Sequence, residues 1–135
     1  MQTAKYMLDT DTLSFVMKGR DEKLRKKFSQ RLPRIAISAV TLAEIRYGLL
    51  RRHSDKLNAV FSLIREMIPT VPWSDAAAER YAEIRNDLES AGTPIGALDM
   101  MIAAAAVSSG SILVTNNVKH FRHVKGLKIE NWITE

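Results

Sequence analysis

The sequence contains no cysteine. Disulfides, thiolate zinc centres, iron–sulfur clusters and a cysteine nucleophile are thereby excluded together. The same absence suits a reducing cytoplasm. Four prolines and six glycines in 135 residues leave no Pro/Gly/Ser-rich linker, and there is no internal repeat or low-complexity tract. One domain over residues 1–135 is expected. Long apolar runs are also missing. The longest, Met100–Val107, falls far below the ~20 residues a membrane span needs. The N-terminus turns acidic at Asp9 before a signal-peptide core could form. Membrane anchoring and export are not expected, and a cytoplasmic protein is. Gly-x-Gly-x-x-Gly, Gly-Lys-Ser/Thr and Gly-x-Ser-x-Gly motifs are all lacking. Nucleotide cofactors and a serine-hydrolase elbow therefore have no support.

What remains is an ordinary globular composition, 46% hydrophobic and 26% charged, long enough to bury one core without staples. Twenty Lys and Arg against fifteen Asp and Glu give a net charge of +5. That excess favours a polyanionic partner, although many basic proteins bind none. Periodicity predicts strands at Lys5–Leu8, Ile35–Ser38 and Ser111–Thr115. A short strand at Ile68–Pro72 should lie at an edge because of its two prolines, and Lys128–Glu130 is a candidate last strand. Helices are predicted over Asp11–Lys18, Asp21–Arg31, Val40–Leu50, Ser54–Met67, Ser74–Ser90 and Leu98–Ser108. Short apolar strands alternating with helices predict a three-layer α/β fold, with a mainly parallel central sheet flanked by helices. Ligands of such sheets bind beyond the carboxyl ends of the strands.

Four side chains fall near that edge. Asp9 ends the first strand, Glu44 lies early in the helix after the second, Asp99 opens the apolar helix and Asn117 follows Thr115. Each also has a simple local role. Asp9 can cap the next helix. Glu44 fits a capping box, Thr41-Leu-Ala-Glu44. Asp99 can balance the helix dipole, and Asn117 can be a turn residue or cap. Together they suggest more, because Asp99 precedes Met-Met-Ile-Ala-Ala-Ala-Ala-Val. A carboxylate in such surroundings costs several kcal/mol unless positive charge compensates it. Converging carboxylates push one another's pKa upward. A divalent cation resolves both problems, and hard oxygen ligands without cysteine select Mg²⁺ or Mn²⁺ over zinc. Such an ion activates water and stabilises charge on a phosphoryl group, which is phosphodiester hydrolysis. The basic residues then have a substrate, with Lys18, Arg20, Lys23, Arg46, Arg52 and Lys119 among the candidate phosphate contacts.

The stretches Tyr6-Met-Leu-Asp9-Thr10-Asp11, Ile37–Gly48 (with Glu44), Gly92–Ala103 (with Asp99), Leu113–Phe121 and Gly126–Trp132 occur in this order along the whole chain. In them the chain resembles the PIN-domain ribonuclease toxins of the VapC family. The resemblance implies a PIN-like fold and an Mg²⁺-binding acidic pocket in which Mn²⁺ can substitute. It implies Asp9 and Asp99 as main metal ligands. Glu44 would bind the metal directly or through water, or orient the attacking water. Asn117 would assist through its side-chain oxygen, and Thr115 would support a ligand carboxylate. Two positions depart from the common pattern. Asp11 stands where many relatives have Asn, and Asn117 where many have Asp. The resemblance further implies a homodimer, a VapB-like antitoxin that blocks the pocket, and an RNA substrate. A tRNA is expected, initiator tRNA near its anticodon being the best candidate.

A catalytically weak or inactive PIN-like module that binds RNA or protein is the alternative, motivated by Asn117 and the basic helices. A phosphoryl-accepting receiver is a third reading, but the candidate strand ends carry Ser38 and Thr115 rather than an acceptor Asp. His120 and His123 make an i, i+3 pair without further zinc ligands and read as surface or RNA-facing residues. Trp73 and Trp132 read as anchors near chain corners. Tyr47, Leu49, Leu50 and Phe61 could serve protein contacts or simply the core.

Overall fold

The computed structural model describes residues 5–133. The ends of the expected one-domain span, residues 1–4 and 134–135, lie outside the described residues. Five strands, β1 (Tyr6–Leu8), β2 (Ile35–Ser38), β3 (Thr70–Val71), β4 (Ile112–Val114) and β5 (Lys128–Glu130), form one sheet in the order β3-β2-β1-β4-β5. Every pairing is parallel, with Tyr6 opposite Ile35 and Ile112. The expectation of a mainly parallel sheet thus holds for all five strands. The Ile68–Pro72 segment contributes Thr70–Val71 at one edge, where its flanking prolines leave no ladder bond unmade.

Side chains alternate across the sheet and build a core on each face. Tyr6, Leu8, Ile35, Ile37 and Val114 pack on one face with Leu13, Leu24, Phe28, Phe61 and Ile64. Met7 and Leu113 pack on the other with Ile84, Leu88, Met100 and Ile102. The first set comes from helices α1 (Thr10–Lys18), α2 (Glu22–Arg31) and α4 (Asp55–Met67). The second comes from α5 (Asp75–Ser90) and α6 (Ala97–Ser109). The helix α3 (Ala39–Arg52) divides its contribution, giving Ile45 and Leu49 to the first core and Val40 to the second. This is the expected three-layer arrangement. Each fully buried Leu or Ile contributes roughly 1.5–3 kcal/mol. Trp132 is buried as an anchor, edge-on to Tyr6 at 5.3 Å, with its indole N–H donating to Glu130 at 2.9 Å.

Helix boundaries follow local chemistry. Asp21, Ser54 and Ser74 cap α2, α4 and α5. Gly19 and Gly110 end α1 and α6 in the left-handed conformation, at φ 66° and 69°. Pro33 stops α2 through a short 3₁₀ turn over Leu32–Arg34. The short helix α7 (Val118–Phe121) was not predicted. Among the described residues, no helix is long and apolar enough to cross a membrane.

The topology singles out one place. From the central β1 the chain builds outward through β2 and β3, then returns to β1's other side as β4 and β5. The carboxyl ends of β1 and β4 therefore flank a switch point, where adjacent loops diverge and leave a crevice.

Candidate active site

Asp9 follows β1 directly. Its backbone N–H donates to Val114 O at 3.0 Å, tying it to the end of β4. It is the N-cap of α1, and Oδ1 accepts from the Thr12 N–H at 2.8 Å. The capping role foreseen for Asp9 is therefore real, and it fixes the carboxylate at the switch point. The residue is only 5% exposed. Burial pushes its pKa above the ordinary value, hydrogen bonds from Thr115 and Thr12 hold it down, and the charge of Asp11 raises it further.

Asp99 lies in the first turn of α6, whose N-cap, Gly96, provides no side-chain bond. Its pKa is also raised, first by burial; His120 lowers it and Asp11 raises it. Asp11 thus acts on both carboxylates, so Asp9, Asp11 and Asp99 share one electrostatic neighbourhood. Asp99 itself is half-buried, its side chain 38% exposed, at the start of a helix whose body is closed off from solvent. Ala103, Ala104 and Ala106 are fully buried, and Met100 and Ile102 nearly so. Among the described residues no Lys or Arg pairs with Asp99; the basic side chain near it is His120, whose Nδ1 lies 4.0 Å from Asp99 Oδ2.

Asn117 precedes α7 and makes no side-chain cap bond. Its backbone N–H donates to Thr115 Oγ1 at 2.9 Å. Its Nδ2 lies 2.8 Å from His120 Nδ1. Thr115 is fully buried, and its side chain hydrogen-bonds Asp9. Contacts therefore run from Asp9 through Thr115, Asn117 and His120 to Asp99.

Glu44 departs from its predicted local role. The helix α3 begins at Ala39 with Ser38 as N-cap, accepting from the Val40 N–H at 3.1 Å. Glu44 is therefore in the second turn, beyond reach of the helix start, and the capping box with Thr41 does not form. Instead Glu44 Oε1 accepts from the Thr10 hydroxyl, which joins α3 to the first residue of α1. Glu44 is linked to Asp9 and Asp11 through the residue between them. Among the described residues, no three His, Cys, Asp or Glu side chains gather closely enough to hold a metal ion. In donor chemistry the set nevertheless suits Mg²⁺ or Mn²⁺. Asp9, almost fully buried, and Asp99, half-buried, offer hard carboxylate oxygens with no Lys or Arg paired to them among the described residues.

Sequence reasoning missed two participants, His120 and the Thr10 hydroxyl. The three-residue step from Asn117 to His120, one helical turn, was the available signal for the first. Around the site, Lys18 and Arg52 line the same cleft as Asp11 and Glu44. Lys18, Arg20 and Lys23 line a second cleft that reaches Asn116. Cations thus flank the acidic centre, as a polyanion that must approach carboxylates requires. Tyr47, Trp73, Leu98 and Met101 line an apolar depression that adjoins the cleft of Asp11 and Glu44 through Thr10 and Glu44. Tyr47 and Leu50 are exposed, 65% and 72%, whereas Leu49 and Phe61 belong to the core.

Known proteins resemble this chain over nearly its full length. A model of the PIN domain matches residues 6–127. The "tRNA(fMet)-specific endonuclease VapC" of Salmonella typhimurium is 36% identical over 129 residues, 95% of this chain and 98% of that one. The "Ribonuclease VapC2" of Haemophilus influenzae is 34% identical over 130 residues, 96% of this chain and 98% of that one. Among solved structures, VapBC2 from Rickettsia felis bound to a promoter DNA fragment aligns with a TM-score of 0.88 at 28% identity, covering 97% of this chain and 99% of that one. DNA-bound VapBC from Salmonella typhimurium aligns with a TM-score of 0.84 at 34% identity, covering 96% and 98%.

Proposed function

The chain belongs to the PIN-domain family, in its VapC branch, and from that premise we propose that it is a metal-dependent endoribonuclease toxin. The observation that carries the reading is the pair Asp9 and Asp99. Both carboxyls are raised above their ordinary pKa, first by burial; both feel Asp11, and no Lys or Arg pairs with either among the described residues. Such a pair suits a divalent cation better than it suits an empty fold.

Asp9 and Asp99 would hold Mg²⁺, or Mn²⁺ in its place. Glu44 would join them directly or through water once it leaves the Thr10 hydroxyl, and Asn117 would contribute its amide oxygen. Bound there, the ion would supply a water acidified toward neutral pH and charge stabilisation on the phosphoryl oxygens. The rest falls to the chain. Thr115 orients the Asp9 carboxylate, and Asp9 keeps its position because it also caps α1. Lys18 and Arg52 hold the phosphate backbone beside the acidic centre, in the cleft they share with Asp11 and Glu44. Glu44 is suited to orient the attacking water.

The name of the tRNA(fMet)-specific relative supports initiator tRNA as the substrate, and a cut near the anticodon is our proposal for it. The VapBC complexes make a VapB-type antitoxin the partner. A small DNA-binding protein encoded in the neighbouring open reading frame is the expected genomic observation, and its absence would count against that partner. Tyr47 and Leu50 offer apolar area for a homodimer. A tRNA substrate places the protein in the cytoplasm.

A second reading, a weakly active or inactive binding module, draws on Asn117 and on the engagement of Glu44 with Thr10. One assay separates the two. The protein is expected to cut initiator tRNA in Mg²⁺ or Mn²⁺ and to stop in chelator. Asp9→Asn and Asp99→Asn should each slow cleavage by more than about 100-fold, the upper end for groups that only support a metal ligand. Parent-like cleavage by either variant would overturn the assignment.

A further inference from the structure

An asparagine where an acidic ligand would serve poses an orientation problem. A carboxylate presents an equivalent oxygen whichever way it turns, whereas an amide presents either an acceptor oxygen or a donor nitrogen. Only the oxygen can face a cation. At Asn117 the choice has been made, because Nδ2 lies 2.8 Å from His120 Nδ1. The amide nitrogen can only donate, so this contact calls for the neutral imidazole with its proton on Nε2 and Nδ1 as the acceptor. Asn117 Oδ1 then accepts no hydrogen bond among the described residues. His120 occupies the junction of the site. It is 54% exposed, stands one helical turn after Asn117 on α7, and its Nδ1 is 4.0 Å from Asp99 Oδ2, beyond hydrogen-bond distance. The Asn117 backbone N–H is independently fixed on Thr115 Oγ1 at 2.9 Å, so the imidazole has one soft degree of freedom to set, the rotation of the amide.

We infer that His120 is a positioning residue: by accepting from Asn117 Nδ2 it holds the Asn117 amide with its oxygen available as a cation ligand. The inference rests on the metal-site reading above. It also accounts for how a chain with Asn rather than Asp at this position keeps a usable oxygen donor there.

The test is calorimetric titration of metal-free protein with Mn²⁺, with melting curves as a check on folding. His120→Ala should weaken Mn²⁺ binding by about tenfold, the lower end for a partner of a metal ligand. His120→Asn, whose Oδ1 replaces Nδ1 as acceptor, should bind within about twofold of the parent, as the mechanism requires a retained acceptor. In an Asn117→Asp background the carboxylate needs no orienting, so adding His120→Ala should cost less than about twofold. Unchanged binding by His120→Ala overturns the inference. So does an equal loss in both backgrounds, which would mean that His120 acts other than through Asn117. Asp99→Asn is the control. If that variant binds Mn²⁺ like the parent, the metal-site reading itself fails; if it does not, and His120→Ala is silent, only the role of His120 falls.

Discussion

Asp99 shows how a single residue can oppose the fold that carries it. Its carboxyl group is raised by burial and by the charge of Asp11, as is that of Asp9. In the unfolded chain both groups titrate near their ordinary value, roughly pH 4. Between that pH and the raised folded value the folded protein binds more protons than the unfolded one. Stability of the metal-free protein therefore falls as pH rises through this window, and the deficit persists above it. Asp99→Asn removes its share of the deficit. The metal-free variant should melt above the parent at pH 7, with an advantage that vanishes as pH drops toward 4. Added Mn²⁺ should raise the parent's melting temperature and leave that of the variant nearly unchanged. Differential scanning calorimetry across pH, with and without the ion, checks both statements. A variant that melts lower than the parent at pH 7 would mean that the Asp99 charge is already compensated.

Local chemistry and tertiary chemistry separate cleanly among the elements. The cap of α4 is purely local, with Ser54 accepting from the Leu57 N–H at 3.1 Å. Ser54→Ala should cost about 1 kcal/mol in a denaturant melt and leave the cleavage rate unchanged. Elements of this kind were legible in the sequence. Apolar spacing, cap residues and Pro33 located the six long helices to within a few residues. Alternation and the prolines placed Thr70–Val71 at an edge. What the sequence hid was the partner of each polar side chain. Thr41-Leu-Ala-Glu44 has the pattern of a capping box, yet the helix starts three residues before Glu44 could use it, and the Thr10 hydroxyl from α1 takes the carboxylate. His120 belongs to a four-residue helix too short to show periodicity; its one-turn spacing from Asn117 was a faint signal, and the contact between the two reveals its place. Asp9 was read as a cap or a site residue, and it is a cap at the candidate site, because one oxygen suffices for Thr12.

At the scale of the whole molecule, the parallel sheet gathers acidic groups where β1 and β4 end, and the net charge of +5 is spread over helices around them. The two distributions are complementary in use: a polyanion is attracted over a distance and meets carboxylates only at the centre. The exposed side chains of Tyr47 and Leu50 on α3 leave apolar area that a second copy would cover. Sedimentation equilibrium should show a dimer, and Leu50→Asp should shift it toward monomer while preserving the melting of the fold. A monomeric parent at micromolar concentration would remove the homodimer from the account. The proposed metal site rests on Asp9, buried, and Asp99, half-buried, at the switch point. Its most direct measurement is the Mn²⁺ affinity of the metal-free parent beside that of Asp9→Asn. Saturable binding by the parent, abolished by the single substitution, is the expected result. Equal binding by both proteins, or none by the parent, would contradict it.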